Sequence, residues 1–235
     1  MKLFWIFIPI GVLSLLFAVF SEWSDSPISP VSYPTPSSPR GYLSSENLQI
    51  ESSIQIPITA SSWAMLFLEK AKEQIWVVKT YDYGNGYYSH GGSPPPETGV
   101  CTDVIWRAYR DIGIDFRANF QKDVESYPLL YDGDLDSNIN YRRVKRLQVY
   151  FSRTAKVLTN SIVPNDLDTL KDWQPWDIVI FEELPSNHLW HIGIISDIRW
   201  VNGVPFMLDN HGQGVSIAIT PLDWPTKVVG HFRPF

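Results

Sequence analysis

A Ser- and Pro-rich stretch from residue 21 to about residue 55 bounds what this chain can fold into. Segments such as Ser26-Pro27-Ile28-Ser29-Pro30 and Tyr33-Pro34-Thr35-Pro36-Ser37-Ser38-Pro39 carry too little apolar surface to offset the entropy of ordering them. They read as an extended, semi-rigid spacer. A compact domain is thereby expected over residues 56–235, with the linker at 22–55 and a separate segment at 1–21.

That first segment reads as an address. Lys2 precedes an uncharged apolar run from Leu3 to Phe20, about 18 residues and close to the ~20 that cross a bilayer as a helix. A cleaved signal peptide has a shorter apolar region and a small-x-small cleavage site, whereas Ala18-Val19-Phe20 places Phe where a small residue is wanted. The expectation is an uncleaved signal anchor, with a signal peptide cleaved after Ser21 as the alternative. Lys2 before the run, with Glu22 and Asp25 after it, puts the N-terminus in the cytoplasm and the rest outside. No Cys follows the run, so a lipid anchor on cysteine is excluded.

A formal net charge of −6 argues against nucleic acid, whose binding draws on clustered Lys and Arg. The short basic run Arg142-Arg143-Val144-Lys145-Arg146 reads as a solvated helix face. With one cysteine in the chain, an intramolecular disulfide and a multi-Cys zinc site are both excluded. Ten Trp suit either a compact core or a groove for a flat or sugar-like ligand, and they are assigned to the core.

Ser61 or Ser62 is placed to cap a helix running to about Lys79. A long Gly-, Tyr- and Pro-rich loop follows from Tyr81 to Gly99, and loops of this length are often functional. Val100, Val104, Ile105, Ala108, Tyr109 and Ile112 form one stripe of a second helix, which Gly113 stops. Further helices are expected at Phe120–Ser126 and from Tyr141 to about Arg153. Strands are expected at Asp177–Phe181, His191–Ser196, Val204–Leu208 and Val228–Arg233. Helices first and strands later predict an α+β fold whose sheet is mainly an antiparallel meander.

Cys101 sits at the start of the second helix, where the helix dipole favours a thiolate nucleophile. A lone cysteine is usually a buried structural one. Here the Gly-rich approach and the expected export, which discourages an idle thiol, point instead to chemistry. His191 begins a strand whose alternation sets it beside Gly193 and Ile195, with the glycine leaving room for a substrate or a helix end. As a base it needs an orienting partner. Asp209, at the end of the next strand, is the candidate, with Asn210 and His211 as competitors. His188, His191, Asp209 and His211 include zinc-ligand types, but the His188-x-x-His191 spacing suits a helical turn rather than a strand, so neither a metal nor another cofactor is expected.

Taken together, Gly99-Val100-Cys101-Thr102-Asp103-Val104 with Arg107-Ala108-Tyr109-Arg110, Asn138-Ile139-Asn140-Tyr141-Arg142-Arg143-Val144, Leu147-Gln148-Val149, Trp173-Gln174-Pro175-Trp176-Asp177-Ile178-Val179, His191-Ile192-Gly193-Ile194-Ile195-Ser196-Asp197 and Gly230-His231-Phe232-Arg233 resemble a bacterial family known as domain of unknown function 1287. The resemblance covers roughly residues 60–235. More distantly, that family is similar to the NlpC-like and CHAP-like hydrolases. The resemblance implies a papain-like core with N-terminal helices, a Cys at a helix start and a small antiparallel sheet. It also implies Cys101 as nucleophile, His191 as base, Asp209 in the third position, and Tyr88 lining the site. The chain departs from the family pattern at Asp209, where His is usual, and at Trp176, where Gly is usual.

The expected activity is cleavage of an amide or peptide bond, in peptidoglycan stem peptides or another peptide, by a protein held outside the cytoplasm on the inner membrane through residues 3–20. The backbone N–H of Cys101 is the expected oxyanion donor. Thr102, Asp103, Asn210 and Tyr88 are expected to contact substrate. Arg142 and Arg143 are placed to hold a substrate carboxylate, or to form a structural ion pair. The rivals are a binding module using Tyr81, Tyr83, Tyr87 and Tyr88, and an acyltransferase built on the same Cys-His pair.

Overall fold

The computed structural model describes residues 56–58, 61–82, 92–133, 135–183 and 188–235, with backbone alone at 183 and 188–190. The expected membrane anchor at 3–20, the expected linker at 22–55, and Tyr83, Tyr87 and Tyr88 of the aromatic loop lie outside the described residues.

Helix α1 spans Ser62–Glu73, and Ser61 caps it by accepting the Ala64 N–H at 3.1 Å. It ends sooner than its apolar pattern predicts. A 3-10 turn at Gln74–Trp76 closes it, and the buried Gln74 side chain donates to the Val104 carbonyl. The chain then forms β1 (Thr80–Tyr81), which pairs in parallel with β2 (Thr98–Gly99), the two residues that lead into the next helix.

That helix, α2, spans Cys101–Asp111, and α3 spans Phe116–Ser126. The latter starts at Phe116 rather than Phe120, because Asp115 caps it by accepting the Ala118 N–H. A 3-10 turn at Asn140–Arg142 occupies the expected first turn of α4, which runs Val144–Thr154. Short β3 (Lys156–Val157) and α5 (Leu167–Leu170) precede the main strands. These are β4 (Ile178–Glu183), β5 (His188–Arg199), β6 (Pro205–Asn210), β7 (Val215–Ile219) and β8 (Lys227–Arg233). The sheet order is β3-β8-β4-β5-β6-β7, antiparallel at every pairing. The fold is therefore α+β, with a β4-to-β7 meander and β8 returning to the far side of β4.

Alternation along the strands sorts the side chains into two cores. Ile178, Ile180, Ile192, Ile194 and Phe232 pack with Phe67, Leu68, Val104, Ile105, Leu147 and Phe151 of the helices. Val179, Phe181, Ile195, Met207 and Val228 pack on the other face with Trp173 and Trp224. The sheet is thus buried on both sides, which explains why its strands read as nearly unbroken apolar runs.

A buried ion cluster ties the start of this sheet to its end. Asp177, fully buried, accepts from Arg233 Nε and Nη2, each at 2.8 Å, from His231 Nε2 at 2.9 Å and from the Gln174 N–H at 2.9 Å. His231 Nδ1 donates to the Thr159 carbonyl, and the Trp173 indole stacks on the ring at 4.1 Å. Beside it, Trp176 has φ 72° and is 1 % exposed. A bulky residue in the left-handed region costs on the order of 1–3 kcal/mol. A Gly would sit there without strain, and here the buried apolar area of the indole works against the cost.

Replacing Asp177 with Ala leaves the buried His231 and the partly exposed Arg233 without their carboxylate. Breaking a buried pair this way costs about 3 kcal/mol. Urea unfolding of Asp177→Ala is expected to show a loss of that order, and a loss under 1 kcal/mol would mean the cluster contributes little to holding the sheet.

Candidate active site

The sequence positions Cys101 by ending an extended segment abruptly. Val100 is extended at φ −115° and ψ 178°, and the helix begins at the next residue. The Asp103 carboxylate reaches back to accept the Val100 N–H at 2.8 Å, which is one half of a capping box. The same oxygen pairs with Arg142 Nη2 at 2.5 Å, with both side chains buried. Thr102 Oγ1 donates to the Arg142 carbonyl at 3.4 Å. Arg107 donates to the carbonyls of Pro95 and Thr98 at 2.8 and 2.6 Å, which pins the approach to Cys101. A Cβ at Gly99 would lie 3.0 Å from the Arg107 guanidinium and 3.1 Å from the Asp103 carboxylate, so only Gly fits between them comfortably.

Three expectations are corrected by this arrangement. Thr102, Asp103 and Arg142, expected at the substrate, spend their polar groups on the frame around the helix start. Each is under 9 % exposed, and together they hold the helix start in place, so the ion-pair alternative for Arg142 is the one found. Arg143 is exposed. Asn210 is fully buried as well, and its amide donates to the Gly99 carbonyl at 3.0 Å and the Thr80 carbonyl at 3.3 Å. Lastly, Gly193 does not leave room for substrate. A Cβ there would lie 2.4 Å from Met207 Sδ and 3.4 Å from Asp209 Cβ, so the glycine admits those two side chains from β6.

His191 and Asp209 come together from β5 and β6. His191 Nε2 lies 2.7 Å from Asp209 Oδ2, and the two side chains are 2 % and 0 % exposed. Cys101 acts on His191 as well, its side chain and charge adding to the imidazole's proton affinity. Because Nε2 is engaged by Asp209, Nδ1 is the nitrogen left for the sulfur. The Trp224 indole lies flat on the imidazole, with centroids 4.1 Å apart and planes at 11°. Trp224 was not read from the sequence as a site residue. The turn that carries it, Thr220-Pro221-Leu222-Asp223-Trp224-Pro225, is held by Asp223, which accepts from the Thr220 N–H and hydroxyl. Such a turn is legible, but the ring it covers is not.

The electrostatics follow from this burial. Desolvation opposes protonation of His191, but the bond to Asp209 and the side chain and charge of Cys101 outweigh it and lift the imidazole to about 9. Desolvation also opposes ionisation of Asp209, but the bonds from His191 and His211 hold its carboxyl below the ordinary value. The arrangement is that of a cysteine paired with an imidazolium that a carboxylate orients. Among the described residues, no group of three or more His, Cys, Asp or Glu is placed to hold a metal ion.

Comparison with known proteins agrees with the motifs. Residues 68–234 match the family described as Domain of unknown function (DUF1287). The chain belongs to the DUF1287 family. It is 34 % identical over 171 residues to the uncharacterized protein YijF of Escherichia coli (strain K12), covering 70 % of this chain and 78 % of that protein. The DUF1287 span includes every residue of the site above and both buried ion pairs, Asp103–Arg142 and Asp177–Arg233. Each pair joins two of the stretches by which the sequence resembles DUF1287.

The folded-state value of His191 is raised, so its ionic contribution to stability is complete below about 6.5 and is lost as pH rises through about 9. Asp209 is depressed, so its share is present above about 3.9 and is lost as pH falls through its folded value. Asp209→Asn keeps an acceptor for Nε2–H but removes the charge. The His191 ring titration, followed by NMR, is expected to move down by at least about one unit. An unmoved midpoint would show that Asp209 does not set it.

Proposed function

We propose that this protein is a thiol hydrolase of the papain-like kind that cleaves an amide or peptide bond, with peptidoglycan stem peptides as its substrate class. One observation carries the reading. A cysteine at a helix N-terminus acts electrostatically on a buried histidine that a buried carboxylate holds through Nε2. A non-catalytic module has no use for that alignment.

The chemistry runs as follows. His191 draws the proton from Cys101, and the thiolate attacks the carbonyl carbon. The carbonyl oxygen becomes an oxyanion facing the start of α2, where the Cys101 N–H is free of intrahelical bonding and aims at developing charge. The imidazolium gives its proton to the leaving amine as the C–N bond breaks, which leaves a thioester on Cys101. Water, deprotonated by His191, then attacks the thioester, and the acid departs with regeneration of the thiol. Asp209 keeps the proton on Nε2 and stabilises the imidazolium throughout. The exposed guanidinium of Arg143, one residue beyond the Arg142 that binds Asp103, offers a bidentate partner to a substrate carboxylate. No cofactor enters this sequence of steps. The apolar run at 3–20 and the Ser/Pro spacer at 22–55 support a domain held outside the cytoplasm and lifted off the inner membrane.

Alkylation of Cys101 by iodoacetamide from pH 4 to 9 tests the pair without knowledge of the substrate. His191→Ala is expected to slow alkylation at pH 6 by about a hundredfold or more, the scale of a lost acid–base partner. Cys101→Ala is expected to abolish release of amine from stem-peptide fragments. An alkylation rate indifferent to His191 refutes the reading, and transfer of the acyl group to an added amine in preference to water reassigns it to acyl transfer.

A further inference from the structure

His211 is the first residue after β6, and its side chain is 31 % exposed beside the fully buried Asp209. Its Nδ1 lies 3.1 Å from Asp209 Oδ1 and 3.0 Å from Oδ2, while His191 Nε2 takes Oδ2 at 2.7 Å. An ionised carboxylate only accepts, so both histidines donate to it. Nδ1 of His211 therefore carries a proton in either charge state, and Nε2 is the atom that gains or loses one. Trp224 lies flat on His191 and meets His211 edge-on, with centroids 5.7 Å apart at 87°, so one indole fixes both rings.

We propose that His211 is a positioning residue that acts through Asp209, holding that carboxylate ionised and aimed so that Asp209 can hold the His191 imidazolium. The proposal rests on the thiol hydrolase reading and adds a fourth member to its site. The charged groups that act on His211 are Asp209 of β6 and His191 of β5. Cys101 of α2 stands behind His191, and Trp224 is neutral. Burial lowers the His211 proton affinity, yet the bond to Asp209 outweighs burial and raises it, so His211 stays charged further into the neutral range than a free imidazole.

The consequence is a shift in one limb of the pH profile. Asp209 is kept ionised in the interior by two donors. With one donor gone it takes up a proton at higher pH, and a protonated Asp209 no longer supports the imidazolium. A role confined to packing lowers the rate at every pH and leaves the midpoint where it was.

The test uses the full chain and iodoacetamide. In His211→Ala the acid midpoint of Cys101 alkylation is expected to rise by about one unit, so that the rate well below both midpoints falls on the order of tenfold. His211→Asn, whose amide replaces the Nδ1 donor without the charge, is expected to recover at least half of that shift. Should His211→Ala fail to fold, a His211→Asn midpoint between the wild-type value and that of Asp209→Asn supports the proposal. Midpoints unmoved in the variants that fold overturn it. A profile that depends on His191 but not on His211 overturns this proposal alone, and one that depends on neither overturns the hydrolase reading with it.

Discussion

Two adjacent residues at the end of β6 fix the geometry on which everything else depends. Asp209 grips His191, while Asn210 grips the carbonyls of Gly99 and Thr80. Successive strand residues point to opposite faces, so one short strand holds the histidine with one side chain and the approach to the cysteine with the next. The distance between Cys101 and His191 is thus set by backbone hydrogen bonding in a central strand rather than by a loop. Elements buried on both sides hold side-chain positions more tightly than loops do.

The interior carries its charges in closed groups. Asp103 is paired with Arg142 and also caps Val100, and Asp177 is paired with Arg233 and accepts from His231. Buried pairs of this kind add little net stability compared with apolar packing, because desolvation consumes most of the Coulombic gain. What they supply is register. Asp103–Arg142 joins the start of α2 to the 3-10 turn before α4, and Asp177–Arg233 joins the entry of β4 to the end of β8. A chain that shifts either segment leaves a charge unpaired in the core, which is far costlier than the pair is worth.

The legible parts of this fold were those with a one-dimensional signal. The apolar stripe of α2, the capping serine at 61 and the apolar runs of β4, β5, β6 and β8 all announce themselves in sequence. The strand β7 was missed, although Val215, Ile217 and Ile219 alternate, because only Val215 is fully buried and the segment is short. Asp115, two residues past the Gly113 stop, caps a helix whose first turn carries little apolar periodicity. At the site, the sequence pointed to Cys101, His191 and Asp209 but could not separate groups that face a substrate from groups that hold the frame. Thr102, Asp103, Arg142 and Asn210 are polar and adjacent to the nucleophile in sequence, which is also what a scaffold around a helix start requires. Their hydrogen-bond partners mark them as frame, and those partners come from distant parts of the assembled chain. Trp224, which covers His191 from another turn, left no local signal at all.

The carboxylate at Asp209 has its own physical logic. A carboxylate brings a full charge into a site with no solvent contact, where an uncompensated ion costs several kcal/mol. One imidazolium offsets that charge only while it remains protonated, and His191 passes its proton on during each catalytic cycle of the proposed reaction. At that moment Asp209 would stand against a neutral ring in a low-dielectric pocket. His211, bonded to both carboxylate oxygens and partly open to solvent, is the group able to hold a compensating proton through that interval. The buried Asp209 and the histidine two residues later therefore belong together as one electrostatic solution.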